Sequence, residues 1–173
     1  MWMLRREAAR TVLLDEDDRI LLLHATDPAN PAKGAWWELP GGGVEAGEQT
    51  GRAAARELYE ETGIADVDMG GCVWQHRARF SFGGFQFDQR EHIHVARLAG
   101  HPGEAAYRPP GLEALEAIAF QGWRWWPLPE LSEMVAAGGR VIPPWLCEQL
   151  PPFLESGPPQ EPIDLGELGD VFG

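Results

Sequence analysis

Glu57, Glu60 and Glu61 stand at i, i+3 and i+4 in the segment GGVEAGEQTGRAAARELYEETGI (42–64), a glycine-rich turn running into a short helical stretch. At 3.6 residues per turn the three carboxylates fall on one helix face. Anions that close repel, and each resists ionising beside the others. Something positive must sit among them. A hard divalent cation with oxygen ligands meets that need, and such clusters most often hold Mg²⁺ against a phosphate-bearing substrate. A solvated acidic helix face is the plain alternative, and three glutamates alone would not displace it.

The neighbours at fixed offsets displace it. Gly42, Glu48, the run Arg56-Glu57-Leu58, the pair Glu60-Glu61 and the pair Gly63-Ile64 together fill every fixed position of G-x5-E-x7-R-E-U-x-E-E-x-G-U, where U is a bulky aliphatic. The segment resembles the box of the Nudix hydrolases, which cleave nucleoside diphosphates linked to another moiety. The resemblance implies an α/β fold, a mixed β-sheet in an α/β/α sandwich. It also implies that Glu57, Glu60 and Glu61 are metal ligands, one of them orienting or deprotonating the attacking water. The metal would be Mg²⁺, with Mn²⁺ as a substitute. A backbone carbonyl of Gly41 or Gly42 is a further candidate ligand, because only glycine permits that turn and close approach. Glu48 and Arg56 are expected as scaffold, since an arginine fork binds a carboxylate bidentately and can hold the helix against the preceding loop.

Nudix enzymes often add a carboxylate from a loop before the last strand. The candidates here are Glu113 and Glu116 in GLEALEAIAFQGWRWW, with Glu116 preferred for its spacing to Trp125, as in an LE…RWW pattern. Glu91 in FDQREHIHVARL is a third, set against simple pairing with an arginine across strands. His92 and His94 share a strand face but lack a third ligand, which favours ordinary strand histidines over a zinc site. The tryptophans and Phe80, Phe82, Phe85 and Phe87 could stack on a base or fill the core, and alternation along a strand sends more of them inward.

The chain as a whole has 173 residues, 44% of them hydrophobic, enough for one domain with a sizeable core. Residues 1–150 read as that domain, and 151–173, rich in Pro, Gly and acids, as a poorly ordered tail. Acidic residues number 27 against 14 basic, a net charge of −13, and Lys33 is the single lysine. No basic stripe exists to track a nucleic-acid backbone, so the expected partner is a small nucleotide-type molecule, its phosphates bridged by metal to the carboxylates. Cys72 and Cys147 are too few for a disulfide framework and have no zinc spacing, which leaves free thiols or a single bridge between them. Neither a signal peptide nor a membrane-spanning run is evident, so a cytoplasmic location is the expectation. A homodimer is common among such relatives, and the aromatic content offers apolar surface for one.

The elements that must position the box follow from local pattern. Thr11–Leu14 and Ile20–His24 read as a β-hairpin, 26–35 as a loop, and Trp36–Leu39 as a strand stopped by Pro40 and the glycine run. Thr50 is placed to cap the box helix and Gly63 to end it. Cys72–Phe82 and Phe85–Leu98 read as strands joined at Gly83-Gly84, and 99–111 as a second loop. Then come a helical turn in 112–120, a strand Trp123–Trp126, a helix Pro129–Ala137 and a short helix Pro144–Leu150. The function expected is Mg²⁺-dependent hydrolysis of a phosphoanhydride in a nucleotide or nucleoside diphosphate derivative. The alternative is a catalytically silent domain that senses a nucleotide or binds a partner; such domains tend to lose box carboxylates, and none is missing here. An isoprenoid diphosphate isomerase is disfavoured by the context of the cysteines, and action on RNA 5′ phosphates by the charge.

Overall fold

The computed structural model describes residues 2–99 and 110–170. Most of the expected 99–111 loop lies outside them. Strand β1 (Met3–Leu14) and β2 (Ile20–Thr26) lead, followed by a 3₁₀ turn at Pro31–Lys33 and two short strands, β3 (Ala35–Glu38) and β4 (Gly41–Gly43). Helix α1 (Thr50–Thr62) precedes the long strands β5 (Val67–Phe82) and β6 (Phe85–Leu98), which turn at Gly83 and Gly84 with φ of 60° and 85°. The chain then forms α2 (Ala114–Ala119), β7 (Phe120–Trp126), α3 (Leu128–Ala136), β8 (Val141–Ile142), α4 (Leu146–Ser156) and β9 (Ile163–Leu168).

These strands make one mixed sheet in the order β8-β3-β2-β1-β6-β5-β9, with β4 added to β1 and β7 to β2. β1 runs parallel to β6 from Met3↔Gln86 to Leu14↔Arg97. The expected hairpin of β1 with β2 is therefore reduced to one pairing, Leu14↔Ile20; β2 turns away to pair with β7 and β3. The glycine run 41–43, expected as a turn, is extended and pairs with Ala8, Ala9 and Arg10 of β1.

Both faces of the central strands are covered. Val12, Leu14, Ile20 and Leu22 point into a core with Trp74, Trp126, Trp145, Leu131, Leu146 and Leu150, under α3 and α4. Leu13 and Leu21 point the other way, toward Leu58 of α1. Strands buried on both faces read as unbroken apolar runs, as TVLL and ILLL do. Ala53 and Ala54 meet Ala9, so only small side chains separate α1 from β1.

The segment after Pro151, expected as a formless tail, is corrected by the structure. α4 continues through Pro151 and Pro152 because Leu146 and Leu150 are fully buried and Phe153 and Leu154 pack on the same core. Packing here outweighs the hydrogen bonds that the prolines forfeit. β9 then lies parallel to β5, Trp74↔Ile163 to Ala78↔Leu168, with Leu165 and Leu168 against the core. Its acids find cations: Glu167 lies 3.3 Å from Arg79 and Asp164 3.6 Å from Arg90. Leu150→Ala should cost about 2–5 kcal/mol through the cavity it opens. The midpoint should fall by roughly 5–15 °C by calorimetry; an unchanged melt would show that α4 is not part of the folded core.

Candidate active site

The box is held together by one guanidinium. Arg56 donates from Nε and Nη2 to the two oxygens of Glu48, each at 2.9 Å, and from Nη2 to the Gly43 carbonyl at 3.0 Å. Its Nη1 reaches Glu57 at 3.0 Å and Glu60 at 3.3 Å. Hydrogen bonds from Arg56 hold the Glu48 carboxyl down at about 2. The helix is thereby tied to the turn before it, and Glu57 and Glu60 are fixed by the same group.

Glycines let the extended strand β4 lie close against the acids. A Cβ at Gly42 would sit 2.6–2.7 Å from the Glu57 carboxylate. Gly41 has φ 155°, and a Cβ there would meet the Ala9 carbonyl at 2.4 Å. Its N–H donates to Glu61 Oε1 at 2.8 Å. Gly63 ends α1 in the left-handed region, its N–H bonded to the Tyr59 carbonyl at 2.7 Å. Thr50, expected as the cap, is instead the first helical residue; its hydroxyl lies 2.9 Å from His94 Nε2, while His94 Nδ1 lies 2.9 Å from the Gly70 carbonyl. His94 thus anchors the start of the helix. His92 faces Glu7.

Carboxylate oxygens of Glu57, Glu61 and Glu116 all lie within 4.8 Å of one another. Glu60, expected with Glu57 and Glu61, is not in that group; it stands on the cleft wall beside Arg56. Glu116 arrives from α2 by a defined route. The Gly111 N–H donates to the Glu60 carbonyl at 3.1 Å, and a Cβ on Gly111 would crowd the Glu60 side chain at 2.9 Å. Glu113 and Glu116 then form a reciprocal capping box at the start of α2, which leaves Glu113 as the helix cap.

Burial and like charge act together on these three acids, and of the three only Glu57 is bonded by Arg56. Burial first, then the charges of Glu116 and Glu57, pushes Glu61 well above the ordinary carboxylate range; Glu61 is 1% exposed. Burial likewise raises Glu57 and Glu116. Three converging hard oxygen donors, kept from ionising by burial and then by one another, fit a divalent cation.

The cleft beside them has a volume of about 460 Å³. Phe80, Phe82, Phe87, Leu115 and Phe120 form its apolar side. Phe80 and Phe87 are stacked with centroids 5.1 Å apart, and the Arg6 guanidinium lies 4.9 Å over Phe87. The tryptophans are absent from this lining; Trp36, Trp74, Trp126 and Trp145 are buried in the cores. Glu91 also stays out of it. It is buried beneath, its carboxylate bound by Arg10, His76 and Gln89. Burial works against its charge, yet Arg10 and His76 hold it well below the usual range.

Arg6, Arg10 and Glu38 line the cleft and were not among the expected site residues. Glu38 is 7% exposed, and burial pushes its carboxyl up to about 7 against the pull of Arg10. A signal existed for two of them. Glu38 shares a strand face with the buried Trp36, and Arg10 interrupts an apolar run; a charge on an inward face marks a site more often than an exposed one does.

The NUDIX domain model matches residues 4–146 of this chain, whose carboxylates gather beside the glycine strand β4 and helix α1, and the chain belongs to that family. It is a Nudix hydrolase. An RNA pyrophosphohydrolase of Rhodopseudomonas palustris is 32% identical over 122 residues, 61% of this chain and 67% of that protein. One of Sphingopyxis alaskensis is 28% identical over 162 residues, 86% of this chain and 94% of that protein. Among solved structures, a C. elegans Ap4A hydrolase in a binary complex covers 87% of this chain and 98% of its own at a TM-score of 0.55 and 20% identity, a likeness of fold. Among the described residues no helix is long and apolar enough to cross a membrane.

The raised acids give the metal-free protein a pH dependence of definite sign. A carboxyl whose folded pKa lies above its unfolded value stabilises the fold below the unfolded value, and that stability is lost as pH rises through the folded one. Glu48 and Glu91, shifted downward, are already ionised above about pH 5 and add no slope there. Burial lowers His94, which gives the opposite slope, so the readout is a difference between proteins. In chelator, the melting temperature of the wild type should fall relative to that of Glu61→Gln, which keeps an oxygen for the Gly41 N–H, between about pH 5 and pH 8. A constant difference across that range, or a lower melt for the variant at pH 8, would sink the charge assignment.

Proposed function

We propose that this chain is a Mg²⁺-dependent pyrophosphohydrolase that cleaves a phosphoanhydride bond in a small nucleotide or nucleoside diphosphate derivative. The observation that carries the reading is the meeting of Glu57, Glu61 and Glu116 at a cleft that Phe80, Phe82, Phe87 and Phe120 also line. An aromatic lining suits a nucleobase, and a carboxylate cluster suits a cation-bridged diphosphate.

Glu57, Glu61 and Glu116 would hold the cation, Mg²⁺ or its substitute Mn²⁺, with the backbone of Gly41 beside them. Bound there, a divalent ion supplies charge neutralisation at the phosphate oxygens and a lowered pKa for water. The protein does the rest by placement. Arg56 holds Glu57 and Glu60 in fixed orientation, so that a carboxylate is ready to take the proton of a water attacking phosphorus. Glu60, outside the group of three and partly open to the cleft, is the acid left free of ion binding for that proton. The anhydride oxygen leaves with its phosphate, and the phosphorus accepts the water oxygen.

Removal of phosphates from RNA 5′ ends is the second reading, raised by the name given to the relatives above. Charge argues against it. The net charge is −13, and the single lysine is paired with Asp27 at 2.8 Å.

The deciding measurement is hydrolysis with Mg²⁺ or Mn²⁺ across nucleoside triphosphates, nucleotide sugars, dinucleoside polyphosphates, NADH and a 5′-triphosphorylated oligonucleotide, with products identified. At least one small nucleotide should be cleaved faster than the oligonucleotide. Glu61→Gln and Glu116→Gln should each lower turnover by about a hundredfold or more while the protein stays folded. Inactivity across the panel in folded, metal-loaded protein would leave the nucleotide-sensing alternative.

A further inference from the structure

Behind the cleft floor runs a chain of buried polar groups that the proposed hydrolysis does not use. The indole Nε1 of Trp145 donates to His76 Nδ1 at 3.1 Å. An indole nitrogen only donates, so Nδ1 accepts and the ring proton toward Glu91 sits on Nε2. His76 Nε2 then bonds one oxygen of Glu91, while Arg10 Nε and the Gln89 amide, the latter at 2.8 Å, bond the other. Glu91 is 3% and Arg10 9% exposed.

The carboxylate is fully served and the guanidinium is not. Arg10 spends Nε on Glu91 and Nη1 on the Leu39 carbonyl at 3.2 Å. Nη2 has no hydrogen-bond partner among the described residues, and Arg10 lines the cleft. Gly41 lies directly over it, since a Cβ there would fall 2.5 Å from Arg10 Cγ. The same glycine bonds Glu61, so Arg10 sits under the end of the cleft where the acids gather.

A purely structural tie has little need of these charges. β1 and β6 already pair along their length, and a buried ion pair is often no better than apolar packing. What an arginine adds is a rigid planar fork with donors to spare, matched to phosphate oxygens.

We propose that Arg10 is a substrate-binding residue of this cleft, its free guanidinium edge taking a phosphate oxygen of the nucleotide, with Glu91, His76 and Trp145 as positioning residues behind it. The inference rests on the nucleotide reading above. The charges of Glu91, Glu38 and Glu61 all act on Arg10, and of the three only Glu38 lines the cleft. Glu61 is committed to the cation in that reading, so in the loaded site Arg10 faces the substrate as a positive group.

The test measures binding apart from turnover. Full-length wild type, Arg10→Lys, Arg10→Gln, Glu91→Gln and the double variant Arg10→Gln/Glu91→Gln are titrated with the methylene-bridged analogue of ADP in Mg²⁺ by calorimetry, with melting curves alongside and KM and kcat on the best substrate. Arg10→Lys and Arg10→Gln should weaken the analogue, and raise KM, by about tenfold or more. Glu91→Gln should weaken it less, and adding it to Arg10→Gln should cost nothing further in binding, because Glu91 acts through Arg10. The double variant leaves no lone buried charge, so it carries the reading if Arg10→Gln alone does not fold. Wild-type analogue affinity and KM in the folded Arg10 variants would overturn the proposal, as would additive losses in the double variant or no analogue binding by the wild type. Arg10-dependent binding without hydrolysis of any panel member would refute the proposed function and leave this inference standing.

Discussion

Like charge gathered out of water is the constraint around which this protein is organised. Two acids of α1 and one of α2 meet within 4.8 Å, and Glu61 among them is almost wholly buried. Left alone such a group would separate or take up protons. It stays together because three independent restraints act on it. Arg56 grips Glu57 and Glu60 while its fork on Glu48 fixes the turn. The Gly41 N–H grips Glu61, and the bond from Gly111 to the Glu60 carbonyl brings the lead-in to α2 across the end of α1. A cost in stability is thereby carried in the metal-free fold, as strained or charged functional sites commonly carry one.

The sheet explains why that cost is borne. Its central strands are buried on both faces, between α1 on one side and α3 and α4 on the other, and this core depends little on the cleft. β1 is the shared member: it pairs with β6 and β4, packs Ala9 against α1 and carries Arg10. Turn, helix and buried arginine are therefore referred to a single rigid strand. Placement on such an element keeps reacting groups within the narrow tolerances that catalysis needs.

How much of this the sequence disclosed follows from the range of each interaction. The box was legible because its contacts are short: Arg56 with Glu48, Gly63 with Tyr59 and the close approach of Gly42 to Glu57 all lie within one turn-helix unit. Long-range pairing was not legible. Nothing local to TVLL says that β1 will run parallel to β6 rather than fold back on β2, and nothing in a Pro- and acid-rich tail says that Ile163–Leu168 will complete the sheet beside β5. The glycine run at 41–43 misled for a related reason. Glycine marks freedom, and here that freedom serves an extended strand pressed against β1 instead of a turn.

The same distinction separates Glu60 from Glu116. By helical period Glu60 belongs with Glu57 and Glu61, and the period does put it on their side of α1. Which acids converge is decided by a second element: α2 brings Glu116 within 4.8 Å of Glu57 and Glu61, while Glu60 is bonded by Arg56. A pattern of one helix fixes directions, whereas a site needs distances, and the distances come from a second element. A family signature thus fixes which of its acids share a face, and the distances among them depend on residues outside it. Such residues, Phe80, Phe82 and Phe87 of β5 and β6 and the charges on β1 and β3, line the rest of the cleft.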